Sequence, residues 1–241
     1  MKKMHYMLSA SLLGFAASSA VMAEEASLGP TREAAAELGF VSTAGNSETE
    51  TLNAKFDVST SYDRWKHALH LETLNSSSDN TRSAEKYLAS GQSDRAINDR
   101  SYFLSVATWE KDRFSGFDFQ ASIALGYGYK VIQEDTMSLS LEVAPGYRVN
   151  RFDAGFDEED SILRAAESFS WKLSKTSTLD QSLNTEIGDS NTVTRFMISL
   201  TSQVADALSM KVGYAVKNNS DVPVGTDKTD SETSVTLVYK I

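Results

Sequence analysis

Two neighbouring segments in which apolar and polar side chains alternate constrain the fold of this chain more than any other feature. Residues 117–130 and 137–150 each place large apolar side chains on one face and mainly polar or small ones on the other. A short polar turn, QEDT, separates them. A side-chain period of two is that of a β-strand whose two faces lie in different surroundings. The sequence therefore predicts two long strands, each with one apolar face.

The same alternation recurs from residue 34 to the end of the chain and predicts twelve strands, many of them 10 to 14 residues long. Strands of soluble sheets commonly have about 5 or 6 residues, whereas a tilted strand that crosses a bilayer needs about 9 to 11. We therefore predict an all-β fold, an antiparallel transmembrane up-and-down β-barrel of about 12 strands. A soluble periplasmic β-protein is the alternative explanation of the alternation.

The spacing of polar segments predicts the connections between strands. The long ones, at residues 75–82, 151–160 and 218–229, are all odd-numbered along the chain, and the even-numbered ones are short. Outer-membrane barrels have short periplasmic turns and longer outer loops. The pattern predicts that both termini of the barrel lie on the periplasmic side.

The N-terminal residues have the features of an export signal. Lys2 and Lys3 precede an apolar stretch that ends in Val21-Met22-Ala23, which is typical of a cleaved secretory signal peptide. We predict a signal peptide at 1–23, a short periplasmic segment at 24–33 and the barrel at 34–241. The predicted location is the outer membrane of a Gram-negative cell.

Charge and cysteine content exclude several kinds of function. The formal net charge is −10, and it becomes −12 when Lys2 and Lys3 leave with the signal peptide. An acidic chain is a poor partner for nucleic acid or for anionic lipid. The absence of cysteine excludes disulfides, thiolate catalysis and cysteine-ligated metals.

The C-terminal strand, TSVTLVYKI, has an apolar face that includes Tyr239 and Ile241. Such an ending resembles the signal that the outer-membrane assembly machinery recognises, although that signal usually ends in Phe or Trp. We therefore expect this machinery and outer-membrane lipid as partners, no nucleic-acid partner, and a monomer.

The stretch ATWEKDRFSGFDFQASIALGYGYKV, followed by LEVAPGYRVN, resembles the YdiY-like family of salt-induced outer-membrane proteins, as does the earlier ELGFVSTAGNSET. The similarity spans nearly the whole mature chain. It implies an outer-membrane β-barrel whose biochemical activity is not established, and it supplies no catalytic residues. The residues that carry the resemblance are Glu110, Asp112, Arg113, Phe114, Gly116, Gly126, Gly128, Tyr129, Pro145, Gly146 and Tyr147.

Charged side chains of both signs occupy the polar faces, which we predict to line the lumen. Such charges either pair with one another and close the barrel, or line a narrow water-filled path and set its ion preference. The predicted lumen charges are Lys55, Asp57, Lys66, Glu72, Lys130, Glu142, Arg148, Arg195, Lys211 and Lys217.

Small residues cluster on the lumenal faces of the two strands described first. They either allow the wall to curve and a bulky ring to pack across it, or leave a groove for a small molecule or a loop. Pro145 lies among them and lacks a backbone donor, which predicts a local bulge. The candidate groove residues are Ala124, Gly126, Gly128, Ala144 and Gly146.

Two further features of the sequence bear on catalysis and metal binding. His67 and His70 fall on opposite faces of one strand, so they cannot share a metal ion. The segment DAGFDEED predicts a solvated acidic loop, with a weak site for a divalent cation as the alternative.

We expect no catalytic residue, metal or cofactor. The predicted function is a structural or envelope-stress role or narrow passive permeation, and the alternative is a barrel-embedded enzyme that acts on lipid.

Overall fold

The computed structural model describes residues 30–44, 49–78, 81–113 and 115–241. The predicted signal peptide at 1–23, residues 24–29 and the connection at 45–48 lie outside the described residues. The strands are β1 (Thr31–Ala44), β2 (Thr49–Tyr62), β3 (Trp65–Ser78), β4 (Thr81–Ala96), β5 (Ser101–Asp112), β6 (Phe117–Gln133), β7 (Met137–Phe152), β8 (Asp157–Lys172), β9 (Ser177–Gly188), β10 (Thr192–Gln203), β11 (Leu208–Asn219) and β12 (Thr229–Lys240).

The twelve strands form one closed antiparallel barrel, which confirms the predicted fold class. Each strand pairs with its neighbours in the chain, and β1 pairs with β12 from Ala35 opposite Lys240 to Ala44 opposite Ser231. Closure leaves no open sheet edge, so the backbone groups of the wall are paired within it. None of the described residues forms a helix long and apolar enough to cross a membrane.

The two ends of the barrel are named by their connections. The start of β1, the end of β12 and the even-numbered connections lie at one end, called the near end. The odd-numbered connections lie at the other, called the far end. β1 begins at Thr31, earlier than the predicted start at residue 34.

Two of the predicted long loops are wrong. β3 continues to Ser78 and β4 begins at Thr81, while β7 continues to Phe152 and β8 begins at Asp157. These polar segments remain strands because each pairs with its neighbour in a hairpin, without interruption in β7–β8 and with a register shift between Ser76 and Ser77 in β3–β4. Among the connections that the structure describes, only 220–228 is long, and it lies at the far end as predicted.

The two faces of the wall are arranged as the inverse of those of a soluble protein. The outer face exposes large apolar side chains, such as Leu38 (67% exposed) and Leu125 (63%). The inner face buries charged ones, such as Glu110 (2%) and Arg148 (1%). A continuous apolar exterior around a polar interior is the arrangement that lipid requires. A soluble periplasmic protein would leave this exterior in water.

Candidate functional site in the barrel lumen

A group of three charged side chains crosses the lumen. The Glu110 carboxylate on β5 lies 2.8 Å from a guanidinium nitrogen of Arg195 on β10 and 2.7 Å from the Lys217 ammonium on β11. In a ring of twelve strands, β5 and β11 are on opposite sides. These ion pairs therefore join facing walls, and we call Glu110, Arg195 and Lys217 the central bridge. Lys217 also donates to Gln120, at 2.9 Å.

A second group surrounds the Glu72 carboxylate, beside the seam between β1 and β12. The ammonium groups of Lys55 and Lys86 lie 3.2 Å and 3.6 Å from it, and His70 lies 3.5 Å from it. The other ring nitrogen of His70 lies 2.7 Å from Asp57. Two cations and a histidine thus compensate one buried carboxylate, as burial of charge requires.

Arg148 holds a third group towards the far end. Its guanidinium lies 2.8 Å from Asp160 on β8 and 3.7 Å from Glu186 on β9, and it also donates to the backbone carbonyl of Asn191. Ser122 donates to Glu186 at 2.9 Å. Because Arg148 is almost completely buried, these acceptors replace most of the water that it loses, and only its Nε lacks a partner among the described residues.

A fourth group centres on Glu142 of β7. It accepts hydrogen bonds from Tyr102 at 2.8 Å, Gln92 at 2.9 Å and Arg164 at 2.7 Å. A separate pair joins Lys211 to Glu37, at 2.8 Å. Each of these contacts links different strands across the inner surface, so the polar network ties the wall together.

The structure places the predicted lumen charges on the inner face and pairs all of them except Lys66 and Lys130. Those two line the near-end cavities, and the described residues give neither ammonium an ion pair. Sequence patterns missed several inner-face charges. For Lys86, Glu110 and Asp160 the pattern left the strand face ambiguous or predicted a loop. Glu37, Arg164 and Glu186 lie on polar faces that the alternation does indicate, and they were left out of the predicted set. The missed residues are Glu37, Lys86, Glu110, Asp160, Arg164 and Glu186.

The lumen narrows from the near end inwards. Two cavities of about 640 Å³ and 460 Å³ lie at the near end and share Lys66 and Asp94 in their walls. A smaller cavity of about 170 Å³ lies deeper, against Lys86 and the central bridge. The two near-end cavities form a vestibule, and the central bridge borders the smallest of the three cavities.

The candidate groove is occupied. Tyr102 and Leu104 of β5 pack on Ala124 and Ala144. An added Cβ at Gly128 would lie 2.2 Å from the Tyr102 ring. The small residues therefore admit a ring, which is one of the two roles expected for them.

The backbones beneath this ring also approach closely. A Cβ at Gly126 would lie 2.1 Å from the Val143 carbonyl oxygen, and one at Gly146 would lie 2.4 Å from that of Ile123. The bulge predicted at Pro145 is wrong. The β6–β7 register is the same on both sides of it, and shifts occur instead near the ends of β6.

The acidic segment is a turn at 153–156 and a strand from Asp157 onwards, not a solvated loop throughout. Arg151 makes two hydrogen bonds of 2.6 Å to Asp157, and Asn150 donates to Glu158 at 3.2 Å. Glu159 accepts from Tyr147. With Asp160 paired to Arg148, the acidic residues at 157–160 all have partners on β7. Within the described part of the chain, no group of three or more His, Asp or Glu side chains is arranged to hold a metal ion.

The two histidines lie on opposite faces. His67 contacts the Ser93 hydroxyl at 2.8 Å and stacks on Trp65. Both ring nitrogens of His70 face carboxylates. A serine hydrolase needs a histidine with a hydroxyl at one ring nitrogen and a carboxylate at the other. His70 has carboxylates at both, and His67 has the Ser93 hydroxyl but no carboxylate contact among the described residues, so neither histidine favours the lipid-enzyme alternative.

The C-terminal residues lie at the near end. Tyr239 is 54% exposed on the outer face, opposite Ala36 and Leu208. Ile241 follows β12, and its backbone amide donates to the Ala34 carbonyl at 2.9 Å. The last strand is thus fully joined to the wall.

Solved structures with a similar fold are outer-membrane porins and channels. The NanC porin matches with a TM-score of 0.56 at 10% identity, over 86% of this chain and all of that one. The COG4313 outer membrane channel from Pseudomonas putida F1 matches with a TM-score of 0.51 at 9% identity, over 91% of this chain and all of that one. At these identities the likeness is one of fold.

A relative of known sequence supports the resemblance found in the sequence. The uncharacterized protein YdiY of Escherichia coli strain K12 is 26% identical over 227 residues, which cover 92% of this chain and 88% of that protein. A family model described as a protein of unknown function, DUF481, matches residues 36–241. The chain therefore belongs to the DUF481 family.

Proposed function

We propose that the protein is a monomeric outer-membrane barrel that allows narrow, passive permeation of small solutes. The near end faces the periplasm, and the assembly machinery inserts the chain through its C-terminal strand. The observation that carries the proposal is the lumen itself, in which a wide charged vestibule lies on the near-end side of the central bridge. We take the central bridge, where long side chains meet across the lumen, as the constriction. In this proposal the long side chains of Arg195 and Lys217 change rotamer to open the path while the wall stays in place.

Buried polar atoms support a hydrated lumen. Both side-chain polar atoms of Asn53, the Asn184 amide oxygen and the Ser199 hydroxyl are buried without a hydrogen-bond partner among the described residues. Each such group costs about 1–3 kcal/mol unless something else satisfies it. Water is the expected partner, because buried waters commonly serve such groups. These unmet hydrogen bonds fit a hydrated lumen better than a dry, packed interior, and a hydrated lumen favours permeation.

The test is single-channel conductance of the refolded protein in a planar bilayer. Arg195→Ser with Lys217→Ser shortens both cationic arms of the central bridge, and we expect larger conductance steps than in the unmodified protein. Lys175→Ser, in the near-end connection between β8 and β9, is the matched control and leaves the steps unchanged. Folding and insertion are verified by heat-dependent gel mobility.

A second candidate function is a closed structural barrel of the envelope. The buried ion pairs of Arg148 favour it, because a paired and desolvated arginine ties three strands together. If the unmodified protein and the Arg195→Ser, Lys217→Ser variant are both folded, inserted and silent, the permeation proposal fails and the structural role stands.

A further inference from the structure

The connection between β11 and β12, residues 220–228, lies across the far-end mouth. Its Pro223 side chain packs against Gly116 in the connection between β5 and β6. A Cβ on Gly116 would lie 2.8 Å from Cγ of Pro223. The β5–β6 and β11–β12 connections are on opposite sides of the ring. The segment therefore spans the opening, and we call it the far-end strap.

The base of the strap is held by several hydrogen bonds. The Ser220 hydroxyl and the Asp221 amide each donate to the Asn191 side-chain oxygen at 3.1 Å. Lys228 donates to the Ser220 carbonyl at 2.5 Å, and the Asn219 amide donates to the Lys228 carbonyl at 2.8 Å. These bonds fix both ends of the strap to the rim of the barrel.

The tip of the strap is held much less firmly. Among the described residues, the contact that the structure shows between the tip and the opposite rim is that of Pro223 with Gly116. Val224 is fully exposed, and Gly225 adopts a positive φ of 92° at the turn. A single small apolar contact contributes little free energy compared with the hydrogen bonds at the base. The tip can therefore separate from the rim while the base stays in place.

We propose that the far-end strap is a lid whose tip closes the mouth above the central bridge and lifts to admit solute. It adds a second barrier, at the outer surface, to the constriction in the lumen. This inference rests on the proposed permeation, because conductance can report opening of the lid only if the barrel conducts. The position of the strap is tested separately, by a chemical crosslink.

Engineered cysteines give a direct test, since the chain has no cysteine of its own. A Cβ at Gly116 would lie 3.3 Å from Cβ of Pro223, close to the separation of about 3.5–4.5 Å found in disulfides. We expect Gly116→Cys with Pro223→Cys to form a disulfide in the folded barrel, visible as a mobility shift on a non-reducing gel. The crosslinked barrel should lose conductance steps that return when the disulfide is reduced.

Gly155→Cys with Pro223→Cys is the matched control. Gly155 has a φ of 85°, close to the 78° of Gly116, so a cysteine is equally strained at either position. A Cβ at Gly155 meets nothing within 4 Å, so this pair should not crosslink. The lid proposal is wrong if the Gly116 pair stays reduced in folded protein, or if its disulfide leaves the conductance unchanged.

A shortened strap keeps the proposal testable if the cysteine variants fold poorly. Replacement of residues 222–225 by two glycines removes the tip but keeps the hydrogen bonds of the base. We expect longer or more frequent open events, and unchanged gating would overturn the proposal. If no variant and no unmodified barrel conducts, the permeation proposal fails, while a disulfide between Gly116→Cys and Pro223→Cys still shows that the strap spans the mouth.

Discussion

Cationic side chains at the near end and towards the far end of the barrel differ in their burial and in their ion pairing. At the near end, Lys66 and Lys130 line a wide vestibule and form no ion pair with described residues. Towards the far end, Arg148 is 1% exposed and contacts two carboxylates. A charge can stay unpaired where water reaches it, but a desolvated charge needs partners. The comparison indicates a water-accessible entrance at one end and a closed, ion-paired interior at the other.

The same alternating pattern builds both ends, so the difference comes from what faces each charge across the lumen. Lys66 lies opposite Asp94 in the β3–β4 register without forming an ion pair, whereas Arg148 lies opposite Asp160 and contacts it. At the far end, the turn around Asn191 and the far-end strap also cover the polar groups. A charged side chain on the inner face is therefore buried where neighbouring segments of the chain pack over it, and it stays exposed where they do not.

The largest expected effect comes from removing the buried cation at the far end. Arg148→Met leaves Asp160 and Glu186 without their shared partner in a buried site. Breaking such a pair costs about 3–5 kcal/mol. We expect a lower midpoint of urea unfolding in detergent or lipid vesicles. Lys130→Met, the near-end control, should change the free energy of unfolding by about 0.5 kcal/mol or less. Equal losses in the two variants would contradict the contrast between the ends.

A smaller loss is expected where a ring packs on the wall. In Gly128→Ala the new methyl group would lie 2.2 Å from the Tyr102 ring. Overpacking of this kind costs about 1–3 kcal/mol. Gly91→Ala is the control, because its Cβ would meet only the Ala68 carbonyl, at 3.9 Å. If both alanine variants unfold at the midpoint of the unmodified protein, the wall near Tyr102 is not tightly packed.

The sequence was sufficient for strands whose faces differ clearly. β6, β7 and β12 have the predicted orientation, with Leu125 and Leu237 exposed on the outer face and Ala124 buried on the inner one. The barrel and its strand number follow from that alternation and from strand length. Side chains that face lipid must be mainly apolar, so the alternation of apolar and polar residues can be recognised within each strand on its own.

The sequence did not predict the orientation or extent of a strand where these depend on the contacts it makes with neighbouring strands. In β5 the apolar residues of both faces compete. The structure turns Tyr102 inward, where it bonds Glu142, and Phe103 outward. Glu110 of the central bridge lies on the same strand. The sequence pattern therefore could not show whether its side chain points into the lumen. Asp157 to Asp160 form a strand because β7 supplies a partner for each, which no local pattern shows.

A still smaller effect is expected at an exposed ion pair of the far end. Arg151 lies on the same strand as Arg148 and also pairs with an aspartate of β8, but its side chain is 46% exposed. Exposed pairs contribute about 0–1 kcal/mol and weaken with added salt. Arg151→Gln should therefore lower the unfolding midpoint slightly, and only at low ionic strength. A loss as large as that of Arg148→Met would show that burial is not what separates the two arginines.

The smallest effect on stability is expected at the vestibule, where the consequence is instead one of ion preference. Lys66→Gln with Lys130→Gln removes two charges that no described carboxylate neutralises, so the free energy of unfolding should be unchanged. Loss of these two positive charges makes the vestibule, which Asp94 also lines, more negative, so the reversal potential in a salt gradient should shift towards cations. The shift should shrink at high salt, because the Debye length falls to about 3 Å at 1 M. Lys175→Gln, outside the vestibule, should leave the potential in place. An unchanged potential in a conducting double variant would mean that the near-end lysines do not face the ion path, and that the central bridge alone sets preference.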